Sequence, residues 1–134
     1  MVITIGEVEY EAVFNGFTPI VFSRTFTVEK PDGKTRPKDI NEDVGMIVET
    51  MQSCGMPSMT ALLEIFYACI KTAKPRFTTP FEKWVKTLPP EAFDLQDGDG
   101  WAADVMGIVE ANFFPSTPDG VDTEATEAAS AATA

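Results

Sequence analysis

Residues 16–26 read GFTPIVFSRTF, and how this stretch folds decides what surrounds it. Ile20, Val21, Thr25 and three phenylalanines favour a strand by propensity. Thr18 followed by Pro19 instead marks a helix start: a capping side chain, then a residue whose ring holds a helical φ and lacks an N–H that would go unpaired. Start signals are positional, whereas strand propensity depends on context. Thr18 to about Phe26 is therefore read as helix, with Thr18 as cap and Pro19 at the first helical position. Ile20, Val21 and Phe22 are expected to pack on the preceding hairpin, with Ser23 and Arg24 facing outward.

That hairpin lies immediately upstream. In VITIGEVEYEAVF, two short runs rich in β-branched and aromatic residues flank Gly6-Glu7, the Gly-X pair of a type II′ turn. Val8, Tyr10, Ala12 and Phe14 alternate with Glu9 and Glu11, as a half-buried sheet requires. Downstream, residues 28–38 carry two prolines and a Pro-Asp-Gly turn and read as a loop, the most basic part of the chain.

From Asp39 the period becomes helical. Ile40, Val44, Ile47, Val48 and Met51 form one stripe, Asp39 and Glu42 form a capping box, and Cys54-Gly55 ends the element. Residues 58–74 differ. Thr60, Glu64, Tyr67, Lys71 and Lys74 make a single narrow polar stripe, so this helix should be central. Residues 78–90 read as a short helix, with Thr79 as cap, Pro80 at the first position, Glu82 at the third and Phe81, Trp84, Val85 and Leu88 buried. A last helix is expected from about Asp99 to Phe114, with Trp101, Val105, Ile108 and Val109 on its stripe and Pro115 as its bound.

The fold class expected is α+β: an N-terminal β-hairpin followed by about five helices in one small, mostly helical domain over residues 1–114. Residues 115–134, acidic and alanine-rich, are expected to be a disordered tail, because they offer too little apolar surface to offset ordering entropy.

Charge and composition narrow the function classes. The chain has 134 residues and a net charge of −11. Residues 1–86 are close to neutral, while residues 87–134 hold 10 acidic residues and no base. That distribution argues against nucleic-acid binding, which needs basic surface to neutralise phosphates. No apolar run approaches the ~20 residues of a membrane span. With no basic, apolar leader and two cysteines, a cytoplasmic protein with reduced thiols is expected.

Two apparent motifs fail on spacing. Gly33-Lys34-Thr35 resembles the end of a phosphate loop, but Val28 stands where its first glycine belongs and Pro37 where its helix should begin. Asp97-Gly98-Asp99-Gly100 suggests a calcium loop, but the same frame puts Leu95 and Met106 at its first and last ligand positions. Asp99 serves better as a helix cap. The chain contains no histidine, which removes the commonest general base and metal ligand. Cys69, inside the apolar helix, reads as a small core residue. No catalytic, cofactor or metal residue is assigned, and no enzyme is expected.

The order of these elements resembles the tail assembly chaperones of long-tailed bacteriophages. The stretches that carry the likeness are ITIGEVEYEAVF, FTPIVFSRTF with its Thr-Pro-Ile helix start, Lys38-Asp39, LLEIFYACIKTAKP and FEKWVKTLPPEAFD. Together they span roughly residues 2–114. The resemblance implies a small α+β protein that binds the aggregation-prone tape measure protein while the tail tube polymerises, with the tube protein as a further partner. It also implies self-association, residence in the host bacterial cytoplasm and absence from the mature virion. A chaperone of this type needs apolar surface rather than a catalytic group. The candidate partner-binding residues are Tyr67, Trp101, Phe113 and Phe114. Two other readings stay open: an acidic inhibitor that mimics nucleic acid, and a structural component of the tail.

Overall fold

The structure is a computed structural model describing residues 1–93 and 100–114. It is α+β and mostly helical. Strands β1 (Val2–Ile5) and β2 (Val8–Glu11) form an antiparallel hairpin in which Ile3 faces Tyr10 and Ile5 faces Val8. Gly6 supplies the φ of +62° that a two-residue turn demands. It is also pressed against Pro89, whose Cγ would lie 2.9 Å from an added Cβ. Ile3 and Ile5 are buried, and Tyr10 sits edge-on to the rings of Phe66 and Trp84. Val8 is exposed, against the expected alternation, although its cross-strand partner Ile5 is buried.

The disputed stretch is a helix, α1 (Thr18–Thr25), with Pro19 in its first turn. Thr18, however, is not its cap. Phe17 holds the cap position with no side-chain cap to the helix, and Asn15 Oδ1 accepts the Phe17 N–H at 2.8 Å just before it. The Thr18 hydroxyl is fully buried against Thr72 at 3.0 Å and accepts the Asn15 N–H at 3.0 Å. A second correction concerns the buried face: Val21 and Phe22 pack chiefly on α3 rather than on the hairpin, and Ile20 is exposed. Arg24 faces outward as expected, whereas the half-buried Ser23 donates its hydroxyl to the Lys38 carbonyl.

The expected loop at 28–38 is a second hairpin, β3 (Thr27–Glu29) paired with β4 (Thr35–Pro37). Its prolines misled as breakers. Pro31 lies in the turn, and Pro37 ends a strand, where the missing N–H costs little. Gly33 takes φ +85°, and Asp32 Oδ1 accepts the Lys34 N–H at 2.9 Å.

Helix α2 (Ile40–Cys54) has the predicted capping box. Asp39 accepts the Asn41 N–H, and Glu42 accepts the Asp39 N–H. Gly55 ends the helix with φ +77°. Ile40, Val44 and Ile47 are buried, but Met51 is exposed with the rest of the last turn. Helix α3 (Met59–Ala73), capped by Ser58, is the central element and is buried without interruption from Ile65 to Ile70.

Helix α4 (Phe81–Lys86) begins after Pro80 and has no side-chain cap. Thr79 acts instead through its carbonyl, which accepts the Tyr67 hydroxyl. Trp84 and Leu88 are buried, and Pro90–Phe93 form a 3₁₀ turn. Helix α5 (Trp101–Phe113) buries Trp101, Val105 and Val109, while Ile108 is half-buried. The expected Asp99 cap and the tail at 115–134 lie outside the described residues.

Candidate functional site

Helix α5 has two faces. Trp101, Val105 and Val109 turn inward, and the opposite side carries Ala103, Gly107 and Ala111, each exposed and four residues apart. An added Cβ at Gly107 would meet nothing within 4 Å. This small-residue face forms one wall of a shallow groove of ≈ 550 Å³, with Ala12, Val13 and Phe14 from the exit of β2 opposite and Ile108 alongside. Asp104 and Asn112 supply its polar groups. The exit of β2 is held in place by the Val13 N–H, which donates to the Cys69 carbonyl of α3 at 3.1 Å.

The four partner-binding candidates divide. Tyr67 is 2% exposed, its ring among Phe26, Phe77, Phe81 and Trp84. Trp101 is 5% exposed, stacked on Phe66 at 5.8 Å, and its indole N–H donates to the Ala92 carbonyl at 2.7 Å. Neither presents surface to a partner in this conformation. Tyr67 looked polar on the helical stripe because its hydroxyl needs a partner, and the Thr79 carbonyl satisfies it internally. Phe113 is half-buried, edge-on to the groove residue Phe14 at 5.5 Å. Phe114 follows α5 and is 47% exposed. Phe113 thus adjoins the groove through Phe14 and Phe114 is exposed after it in the chain, while Tyr67 and Trp101 belong to the core.

Sequence reasoning missed the groove wall. Its signal was the four-residue spacing of Ala103, Gly107 and Ala111 opposite the buried stripe, a pattern that permits close approach of another backbone. Other exposed apolar side chains include Phe17 just before α1, Ile20 on α1, and Met46 and Met51 on α2.

Also missed was a charged cluster at the start of α2. The Lys38 ammonium lies 2.8 Å from Asp43 and 2.9 Å from Glu64. Asp43 was overlooked because it adjoins the capping box, and Glu64 because it falls on the polar stripe of α3. Nearby, Arg36 makes a two-pronged pair with Glu42 at 2.8 and 3.0 Å. That guanidinium, with the Asp39 N–H, holds the Glu42 carboxyl down at about 2.

Among the described residues, no group of three or more Cys, Asp or Glu side chains is placed to hold a metal ion, and no helix is long and apolar enough to cross a membrane. Cys69 is enclosed, and burial pushes its thiol up to about 12, so it is not poised as a nucleophile. The Gly33-Lys34-Thr35 stretch belongs to the second hairpin, with no helix N-terminus behind it to receive a phosphate. No protein-family model, curated protein or solved structure matches this chain.

Proposed function

We propose that this chain is a tail assembly chaperone of the long-tailed bacteriophage type, which binds the tape measure protein and keeps it soluble until the tail tube closes around it. The observation that carries this reading is the order of five short stretches resembling that family, from the ITIGEVEYEAVF hairpin to FEKWVKTLPPEAFD. Its physical support is the α5 groove. A wall of alanine and glycine beside Phe14 and Ile108 suits an apolar helix laid alongside α5, and helix-in-groove capture needs no catalytic group. On this reading the protein acts in the host cytoplasm, self-associates and does not remain in the particle.

Co-expression with the tape measure protein tests the proposal. A soluble complex that co-purifies is expected. A tape measure protein equally insoluble with and without this chain would sink the reading. Finding the chain in purified particles would favour a structural tail component instead.

A further inference from the structure

The charged cluster at the start of α2 is not balanced by ion pairing alone. Lys38 Nζ is 2.8 Å from Asp43 Oδ1 and 2.9 Å from Glu64 Oε1, so one ammonium serves two carboxylates from two helices. Asp43 is 3% exposed, and among the described residues its second oxygen, Oδ2, meets no donor. The shared ammonium holds the Glu64 and Asp43 carboxylates close to one another. Two anions against one cation, one of them cut off from water, leave an uncompensated buried charge. Among the described residues the surroundings offer no second cation. Glu42 on α2 is turned toward Arg36 of β4, and the Ser58 and Thr60 hydroxyls line the same cleft as Asp43 without bonding to it. A single proton held by the carboxyl pair would remove the excess charge.

We propose that Asp43 and Glu64 share one proton beneath the Lys38 ammonium, and that this proton latches α2 to α3. The latch reaches further through Lys38 itself. Its main-chain N–H donates to the Phe26 carbonyl at 2.9 Å, and its own carbonyl accepts the Ser23 hydroxyl at 2.8 Å. Loss of the proton places like charges face to face and loosens α2, the end of α1 and the second hairpin together.

The direction of the pH response follows from the shift. Burial, reinforced by Glu64, raises the Asp43 carboxyl to about 7 against the pull of Lys38. A carboxyl raised in the folded state contributes stability that is complete below the ordinary aspartate range. That contribution declines as pH rises toward neutrality and is gone above it. Glu42 responds in the opposite sense, and only below the ordinary glutamate range. The chain has no histidine to obscure the neutral window.

Urea midpoints of the full chain between about pH 5 and about pH 8, compared with Asp43→Asn, test the latch, together with carboxyl-carbon NMR titration of the wild type. The wild-type midpoint should fall toward neutral pH and then level, Asp43→Asn should be flat there, and the Asp43 carboxyl should titrate near neutrality. An Asp43 carboxyl that titrates near pH ~4, or an Asp43→Asn profile parallel to wild type, would overturn the proposal. Should Asp43→Asn fail to fold, the wild-type titration decides alone.

Discussion

Thr18 and Thr72 meet hydroxyl to hydroxyl at 3.0 Å across the contact between α1 and α3. The Thr72 proton is committed to the Ala68 carbonyl at 2.7 Å, and Thr18 accepts the Asn15 N–H at 3.0 Å while its own proton faces Thr72 and, at 3.4 Å, the Val13 carbonyl. A relay of three hydrogen bonds thus joins the entry of α1 to the central helix. Thr18→Val keeps the shape and removes the relay, leaving the Asn15 N–H unpaired. A loss of about 1–3 kcal/mol in urea unfolding is expected, and Thr18→Ser should recover most of it. Equal losses for both variants would mean that packing of the methyl group, not the relay, matters at this site.

Gly6 and Gly33 both hold positive φ, at 62° and 85°, but only Gly6 is crowded. Gly33→Ala should cost only backbone strain, about 1–2 kcal/mol. Gly6→Ala adds a clash with the Pro89 ring and should cost more. Thermal unfolding of the two variants side by side checks the ranking, and a larger loss at Gly33 would contradict it.

The capping box of α2 predicts an acid-side response. The Glu42 carboxyl is held at about 2 by Arg36 and the Asp39 N–H, so its contribution is present above the ordinary glutamate range and lost as pH falls from there to about 2. Glu42→Gln should flatten that part of the acid denaturation curve. Because the pair is exposed, added salt should shrink the difference. Asp39→Ala should cost about 0.5–2 kcal/mol through the lost cap alone.

The two cysteines should differ sharply in reactivity. Cys54 is exposed near the end of α2, whereas Cys69 is enclosed in α3 with its thiol raised by burial. A thiol-specific colorimetric reagent should titrate one cysteine in the native chain and both in denaturant. Two reactive thiols under native conditions would show that α3 opens readily.

For the proposed function, Gly107→Trp puts a large side chain on the groove wall at a position where the Cβ itself meets nothing within 4 Å. Stability should change little while co-purification with the tape measure protein falls at least about tenfold, equivalent to about 1.4 kcal/mol of binding. Unchanged co-purification would move the binding surface elsewhere.

Local chemistry was legible where a signal is carried within one turn of chain. The Gly6 turn, the Asp39–Glu42 box, the Gly55 stop and the Thr-Pro start of α1 depend on neighbours a few residues away, and the order of hairpin and helices followed from them. The 28–38 hairpin was missed because its prolines sit at positions that need no donor, a fact of register rather than composition. Tertiary structure alone decided which polar groups are satisfied inside. Thr18 left its cap position for Thr72, Tyr67 turned inward to the Thr79 carbonyl, and Asp43 was closed over Lys38 and Glu64, partners 54, 12 and 21 residues distant at most. A sequence period identifies which face of an element can be buried. It does not say what that face will meet, because each such partner comes from another element brought close only by folding.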